Sequence, residues 1–187
     1  MDGQVARLKA EIEKRQGGKK PFLVAIDGGS AGGKSTLGAA LARELGATLI
    51  HMDDFFMPPA MRTEARFAQP GGNVHWERVL EEVLRPLGAG KAPEYGVFDC
   101  SVMAVNRTVR EVPRDVVIVE GAYSLHPMLR DHFDLRVLVE VEETLQKERI
   151  LCRNGEKMLQ RFLKEWIPLE KAYFQACRVK ECCHIVL

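Results

Sequence analysis

The run Gly28-Gly29-Ser30-Ala31-Gly32-Gly33-Lys34-Ser35 has the order G-x-x-x-x-G-K-[ST]. Each residue type in it meets a need of a bound polyphosphate. Glycines let the backbone turn successive N–H groups inward around phosphate oxygens. A helix beginning at Lys34 and running through Thr36 adds the positive end of its dipole. Lys34 is long enough to reach the β- and γ-phosphates, and the Ser35 hydroxyl can hold Mg²⁺. The segment from Gly28 to Thr36 is the expected binding site of a nucleoside triphosphate. The motif does not say where the phosphate goes.

Three further groups could act on that phosphate. His51-Met52-Asp53-Asp54-Phe55-Phe56 follows a short apolar run. A carboxylate there could take the proton of an attacking hydroxyl, or could simply cap a turn. Glu120 ends the apolar run Val116–Val119, where an acid can stand beside Mg²⁺. Arg149 and Arg153 are one helical turn apart and share a face. They could close over a transferring phosphate, or they could be a solvated surface.

The elements that must position these residues follow from periodicity. Apolar strands are expected at about 22–27, 47–51, 116–120, 135–141 and 184–187. Helices are expected over 3–16, from Lys34 to Gly46, over 75–87 ending at Pro86, and over 142–153 and 156–181 with a break at Asn154-Gly155. Residues 57–74 read as a long loop, and the stretch beyond 87 as irregular to about Pro113. Strands alternating with helices predict α/β architecture, a parallel sheet covered on both faces.

Composition excludes several classes. The 187 residues carry 27 Lys+Arg against 26 Asp+Glu, a formal charge of +1, which argues against a general grip on nucleic acid or an anionic membrane. No apolar run approaches a membrane span, and residues 1–20 are polar, so a cytoplasmic location is expected. The five cysteines make no C-x-x-C pair. Cys182-Cys183-His184 could hold a metal, but reads more simply as thiols at a strand start.

In this order the motifs resemble the uridine kinase and phosphoribulokinase-like group of P-loop kinases, which also includes nicotinamide riboside kinases. The resemblance runs from about Pro21 to Leu187. It rests on Ile26 to Thr36, Met52-Asp53-Asp54-Phe55-Phe56, Asn73-Val74-His75-Trp76-Glu77-Arg78, Val119-Glu120-Gly121-Ala122-Tyr123, Glu148 to Arg153, and Arg161 to Pro168.

The resemblance implies a three-layer P-loop kinase fold with a parallel five-stranded sheet, in one domain spanning 1–187. Residues 1–20 would be a helical extension and about 142–162 a lid. It implies ATP and Mg²⁺ as cofactors, Asp53 as catalytic base, Ser35 and Glu120 on the metal side, and Arg149 and Arg153 as lid arginines, with Arg161 as a further candidate. The acceptor would be a small molecule, uridine or cytidine first, held by Asp53, Phe56, His75, Tyr95 and Phe98, with Phe55 as another wall. The resemblance leaves room for a homo-oligomer.

The sequence departs from the group where a nucleoside would sit. His75 stands where an Asp often contacts sugar hydroxyls, and no His follows Phe98-Asp99 to read a base. Asn154 and His184 also stand where Asp is common. Nicotinamide riboside, pantothenate or a sugar are the alternative acceptors, and a nucleotide-binding regulatory ATPase the alternative role.

Overall fold

A computed structural model describes residues 1–187. Its centre is a five-stranded sheet in the order β2-β5-β1-β6-β7, parallel throughout. The strands are β1 (Phe22–Gly28), β2 (Thr48–His51), β5 (Val116–Glu120), β6 (Leu135–Val139) and β7 (Ile185–Val186). β1 and β5 are buried at every position, as strands covered on both faces must be. The sheet therefore matches the expected one, except that β6 stops at Val139 and β7 spans two residues.

Alternate strand residues face opposite ways, so the sheet divides two apolar cores. Val24, Ile26, Ile118 and Val137 meet Leu8 and Ile12 of α1 (Asp2–Gln16) and Leu37 and Leu41 of α2 (Lys34–Leu45). The N-terminal helix thus belongs to this core. Leu23, Ala25, Val117 and Val119 face the other core, with Val79, Val83, Leu125, Phe133 and Tyr173.

Helix α3 covers residues 76–88. It widens to π geometry over Val79–Leu84 and returns to α geometry over Arg85–Gly88. It was expected to stop at Pro86. A proline lacks the N–H that a continuing α-ladder requires. The wider turn just ahead of Pro86 shifts the hydrogen-bond pattern before the proline is reached, so the helix continues. The same device recurs at Pro168: a π turn over Phe162–Trp166 joins α4 (Glu143–Arg161) to α5 (Ile167–Ala176).

The expected break at Asn154-Gly155 is a kink inside α4. Gly155 takes φ 76°, ψ 171°, and the helix resumes beyond it. Ile150, Leu159, Phe162 and Ile167 form a small separate core where α4 meets α5.

The region read as irregular holds an antiparallel hairpin, β3 (Glu94–Asp99) with β4 (Ala104–Arg110). Its turn is held by Asp99, which accepts from the Ser101 N–H at 2.7 Å and from Asn106 Nδ2 at 2.6 Å. Residues 57–74 remain a loop with two short helical turns, Pro59–Met61 and Glu64–Phe67. No helix is long and apolar enough to cross a membrane.

Candidate active site

In a parallel α/β sheet the carboxyl ends of the strands line the ligand crevice. Here that edge collects the chemistry singled out above. β1 ends in Asp27-Gly28, β2 in His51 and β5 in Glu120, and the register sets Glu120 opposite both Ile26 and His51.

The phosphate loop fills the space between β1 and α2. Gly28 adopts φ 151°, and a Cβ there would lie 2.3 Å from the Val139 carbonyl oxygen. Gly33, at φ 97°, turns the chain into α2. Beyond it, the N–H groups of Lys34, Ser35 and Thr36 begin a helix and have no acceptor within it. Lys34 is buried, and its Nζ donates to Gly29 O at 2.8 Å. Glycine-made turns, free helix-start donors and a buried lysine fit the phosphates of a nucleoside triphosphate.

Side chains distant in sequence hold this loop. Gln146 Nε2 donates to Ser30 O at 2.8 Å, and Arg149 Nη1 to Ala31 O at 3.2 Å. Buried Glu170 accepts from the Ser30 N–H at 2.9 Å and also from the Ser30 hydroxyl. Burial lifts the Glu170 carboxyl above its ordinary range, against the pull of its Ser30 bonds. Asp27, fully buried, accepts from the N–H groups of Gly28 (2.7 Å), Tyr123 (3.1 Å) and Leu125 (2.9 Å), and from Tyr173 Oη (2.7 Å). Burial raises its pKa while these donors oppose the rise. Neither Asp27, Gln146 nor Glu170 was singled out from sequence. Only Asp27 left a signal, an acid closing a wholly apolar strand.

Ser35 and Glu120 meet: Ser35 Oγ donates to Glu120 Oε2 at 3.1 Å. Two hard oxygen donors at the phosphate-loop edge fit Mg²⁺. The other oxygen of Glu120, Oε1, lies 2.5 Å from His51 Nδ1. That hydrogen bond raises the His51 pKa, with burial opposing it.

Asp53 and Asp54 sit on the 3₁₀ turn Met52–Phe55 that follows β2. Asp53 opens to solvent at the mouth of this edge. The surrounding protein raises its pKa first through desolvation and then through the charge of Glu120, while Lys34, His51 and Arg153 oppose the rise. It is thus a more basic carboxylate than a free aspartate, near Lys34 and Glu120.

The arginines divide. Arg149 contacts the phosphate loop, as above. Arg153 Nε donates to Asn154 Oδ1 at 2.7 Å, and its charge reaches Asp53. Arg161 pairs with Glu165 at 2.9 Å and lies 4.8 Å over the Trp166 ring, so it is engaged on its own helical segment.

The aromatic residues also divide. Phe55 and Tyr95 are buried in the core with ring centroids 5.2 Å apart, so their rings are packing and do not wall a cleft. Phe56 is half-buried and meets Phe98 edge-on at 6.3 Å; Phe98 is itself buried and packs in the same way, so of the expected aromatic walls only Phe56 is accessible. His75 immediately precedes α3, and its N–H bonds to Phe55 O at 2.9 Å. Burial lowers its pKa, which favours the neutral ring. At the far edge, His184 Nδ1 accepts from the Arg136 N–H at 3.1 Å, and Cys182 and Cys183 direct their thiols at Val179 O, so this trio is engaged within the fold.

Comparison with known proteins agrees with this fold. No family model matches the chain. A uridine kinase of Streptococcus agalactiae serotype V is 27% identical over 149 residues, covering 74% of this chain and 70% of that protein. A uridine kinase of Ligilactobacillus salivarius is 28% identical over 148 residues, covering 74% and 68%. The chain is similar to uridine kinases and has the P-loop kinase fold. A solved structure described as a "possible uridine kinase" from Bacillus stearothermophilus shares the fold, with a TM-score of 0.67 at 20% identity over 97% of this chain and 99% of that one. These likenesses support a small-molecule kinase.

Proposed function

We propose that the protein transfers the γ-phosphoryl group of ATP to a hydroxyl of a small-molecule acceptor, as one kinase domain. The observation that carries this reading is Asp53. An aspartate of raised pKa opens to solvent on the sheet edge that also bears Lys34 and the Ser35–Glu120 pair. A bare nucleotide switch has no use for such a base.

Bound Mg-ATP supplies the phosphoryl group and a metal charge that offsets the negative charge of the phosphates. The chain's own residues do the rest. The first-turn N–H groups of α2 and the Lys34 ammonium hold the β- and γ-phosphates. Ser35 and Glu120 would hold Mg²⁺. Asp53 orients the acceptor hydroxyl and takes its proton as the new O–P bond forms. The bond from the γ-phosphorus to the bridging oxygen breaks, and its electron pair leaves on ADP. Arg149 and Arg153 lie on α4, which acts as a lid and brings positive charge to the transferring group.

The acceptor cleft lies beyond Asp53, between residues 57–78 and the β3–β4 hairpin, with Phe56 and His75 at its wall. The names of the two bacterial relatives make uridine the first acceptor to test, with cytidine, the other acceptor expected from the sequence, beside it. The cleft itself favours another class, argued below.

The test is coupled ADP release with Mg-ATP against uridine, cytidine, nicotinamide riboside, pantothenate and a set of sugars and sugar acids. Stimulation by an acceptor supports the reading. ATP binding with slow hydrolysis that no acceptor stimulates contradicts it and favours a regulatory ATPase.

A further inference from the structure

Three arginines lie on the elements that bound the cleft proposed above for the acceptor. Arg62 Nε donates to Met57 O at 2.7 Å, and its guanidinium lies 5.9 Å over the Phe98 ring, with no acidic partner. Arg78 lies 5.2 Å over the Phe55 ring and reaches Gly96 O at 2.5 Å and both oxygens of Glu82 at 2.7 Å. Its Nη1 is buried and has no hydrogen-bond partner. Arg107 of β4 is paired with Val97 across the hairpin, exposed and in no ion pair. The charges of Arg107 and Arg78 both reach Asp54, and that of Arg62 reaches Cys100 at the hairpin turn beside Asp53.

This concentration is local. The chain as a whole is almost neutral, at +1. Glu82 balances Arg78, and Asp54 offsets Arg107, which leaves Arg62 without an acid. A neutral nucleoside gives Arg62 no counter-charge. Nor does it explain an orphaned guanidinium N–H, whose burial without a partner is costly. His75 Nδ1, one turn before Arg78, is likewise buried without a partner. Guanidinium forks match carboxylate and phosphate oxygens, and each such bond is charge-assisted.

We propose that the acceptor carries a carboxylate or a phosphate in addition to the hydroxyl that is phosphorylated, and that Arg62, Arg78 and Arg107 select for that anion. The proposal rests on the acceptor cleft of the kinase reading, with Asp53 at the reacting end and the arginines at the other.

The test has two arms. In the first, inorganic phosphate is titrated calorimetrically into protein already saturated with Mg-AMPPNP, so that the phosphate loop is filled. The proposal expects a further binding event, weakened about tenfold or more in Arg62→Met/Arg107→Met. Both residues lie at the surface of the cleft, and Arg78 with its Glu82 pair is left intact. No binding, or binding that the double variant does not change, overturns the proposal.

In the second arm, ADP release is compared for uridine, cytidine and ribose against D-glycerate, D-gluconate, pantothenate and ribose 5-phosphate. The proposal expects the charged set to be preferred, with carboxylate and phosphate members telling the two anions apart. It also expects Arg62→Met to raise the acceptor KM more than it lowers kcat. A preference for uridine that Arg62→Met leaves untouched overturns it. If no acceptor stimulates ADP release, the kinase reading fails, and the phosphate titration still decides whether the arginines form an anion site.

Discussion

Ser35 and Glu120 lie 85 residues apart in sequence, yet the Ser35 hydroxyl donates to the Glu120 carboxylate at 3.1 Å. The contact exists because β5 is inserted beside β1, which sets Glu120 opposite Ile26 and next to the start of α2. Gly38 admits it: a Cβ at that position would lie 3.2 Å from Glu120 Cγ.

This pair predicts a metal-specific defect. Glu120→Gln keeps the shape of the side chain and removes its charge. The Mg²⁺ concentration for half-maximal activity should rise about 10- to 100-fold. Activity titrated against Mg²⁺ at saturating ATP checks this. An unchanged titration would remove Glu120 from the metal side.

Lys34 is held ready by Gly29 O and has little exposure. Lys34→Met should lower kcat by about 100-fold or more, because a buried positive donor to developing charge is lost. Steady-state kinetics measure it, with the melting temperature showing that the fold survives. Near-normal turnover would refute the phosphate-loop assignment.

Tyr173 on α5 donates to Asp27 at 2.7 Å, and both are fully buried. Tyr173→Phe removes one of four donors from an internal carboxylate. The expected loss is about 1–3 kcal/mol of stability, read from urea unfolding. A loss near zero would mean that Asp27 is satisfied without α5.

Arg66 makes a bidentate pair with Glu77, at 2.6 and 2.8 Å, and also donates to Gly72 O and Val74 O. It thereby pins the loop that leads into α3. Desolvation is the largest influence on the Glu77 carboxyl and pushes its pKa up, but the Arg66 hydrogen bond, a backbone hydrogen bond and the charges of Arg66 and His75 together outweigh it, and the net shift is below the ordinary 4.5. A lowered acid pKa gives stability that is present above the unfolded value and is lost as pH falls through the folded one. The melting-temperature gap between the parent and Glu77→Gln should be constant above about pH 5 and shrink below about pH 4.5. A gap that does not change with pH would contradict the charged pair.

The sheet and the phosphate loop were readable because their signals are local: apolar runs for β1 and β5, and a contiguous Gly-Lys-Ser pattern. The β3–β4 hairpin was not. β4 has the sequence Ala-Val-Asn-Arg-Thr-Val-Arg and is exposed nearly throughout, so it has no apolar face to show. Its partner is interrupted by Gly96, where a Cβ would lie 2.5 Å from Val105 Cγ1. The continuation of α3 through Pro86 was hidden because a π turn leaves no residue signature. Gln146 and Glu170 are ordinary helix residues in sequence, and only the packing of α4 and α5 brings them to Ser30. His51 was visible in the motif, but its pairing with Glu120 depends on strand order.

Asp53→Asn tests the central claim most directly. Coupled ADP release is measured with Mg-ATP and the best acceptor of the panel, and ATP binding is measured alongside by calorimetry. The account predicts that ATP binds with nearly parental affinity while acceptor-dependent turnover falls by about 100- to 10,000-fold. Turnover within a few-fold of the parent would contradict it, because the acceptor hydroxyl would then be losing its proton elsewhere.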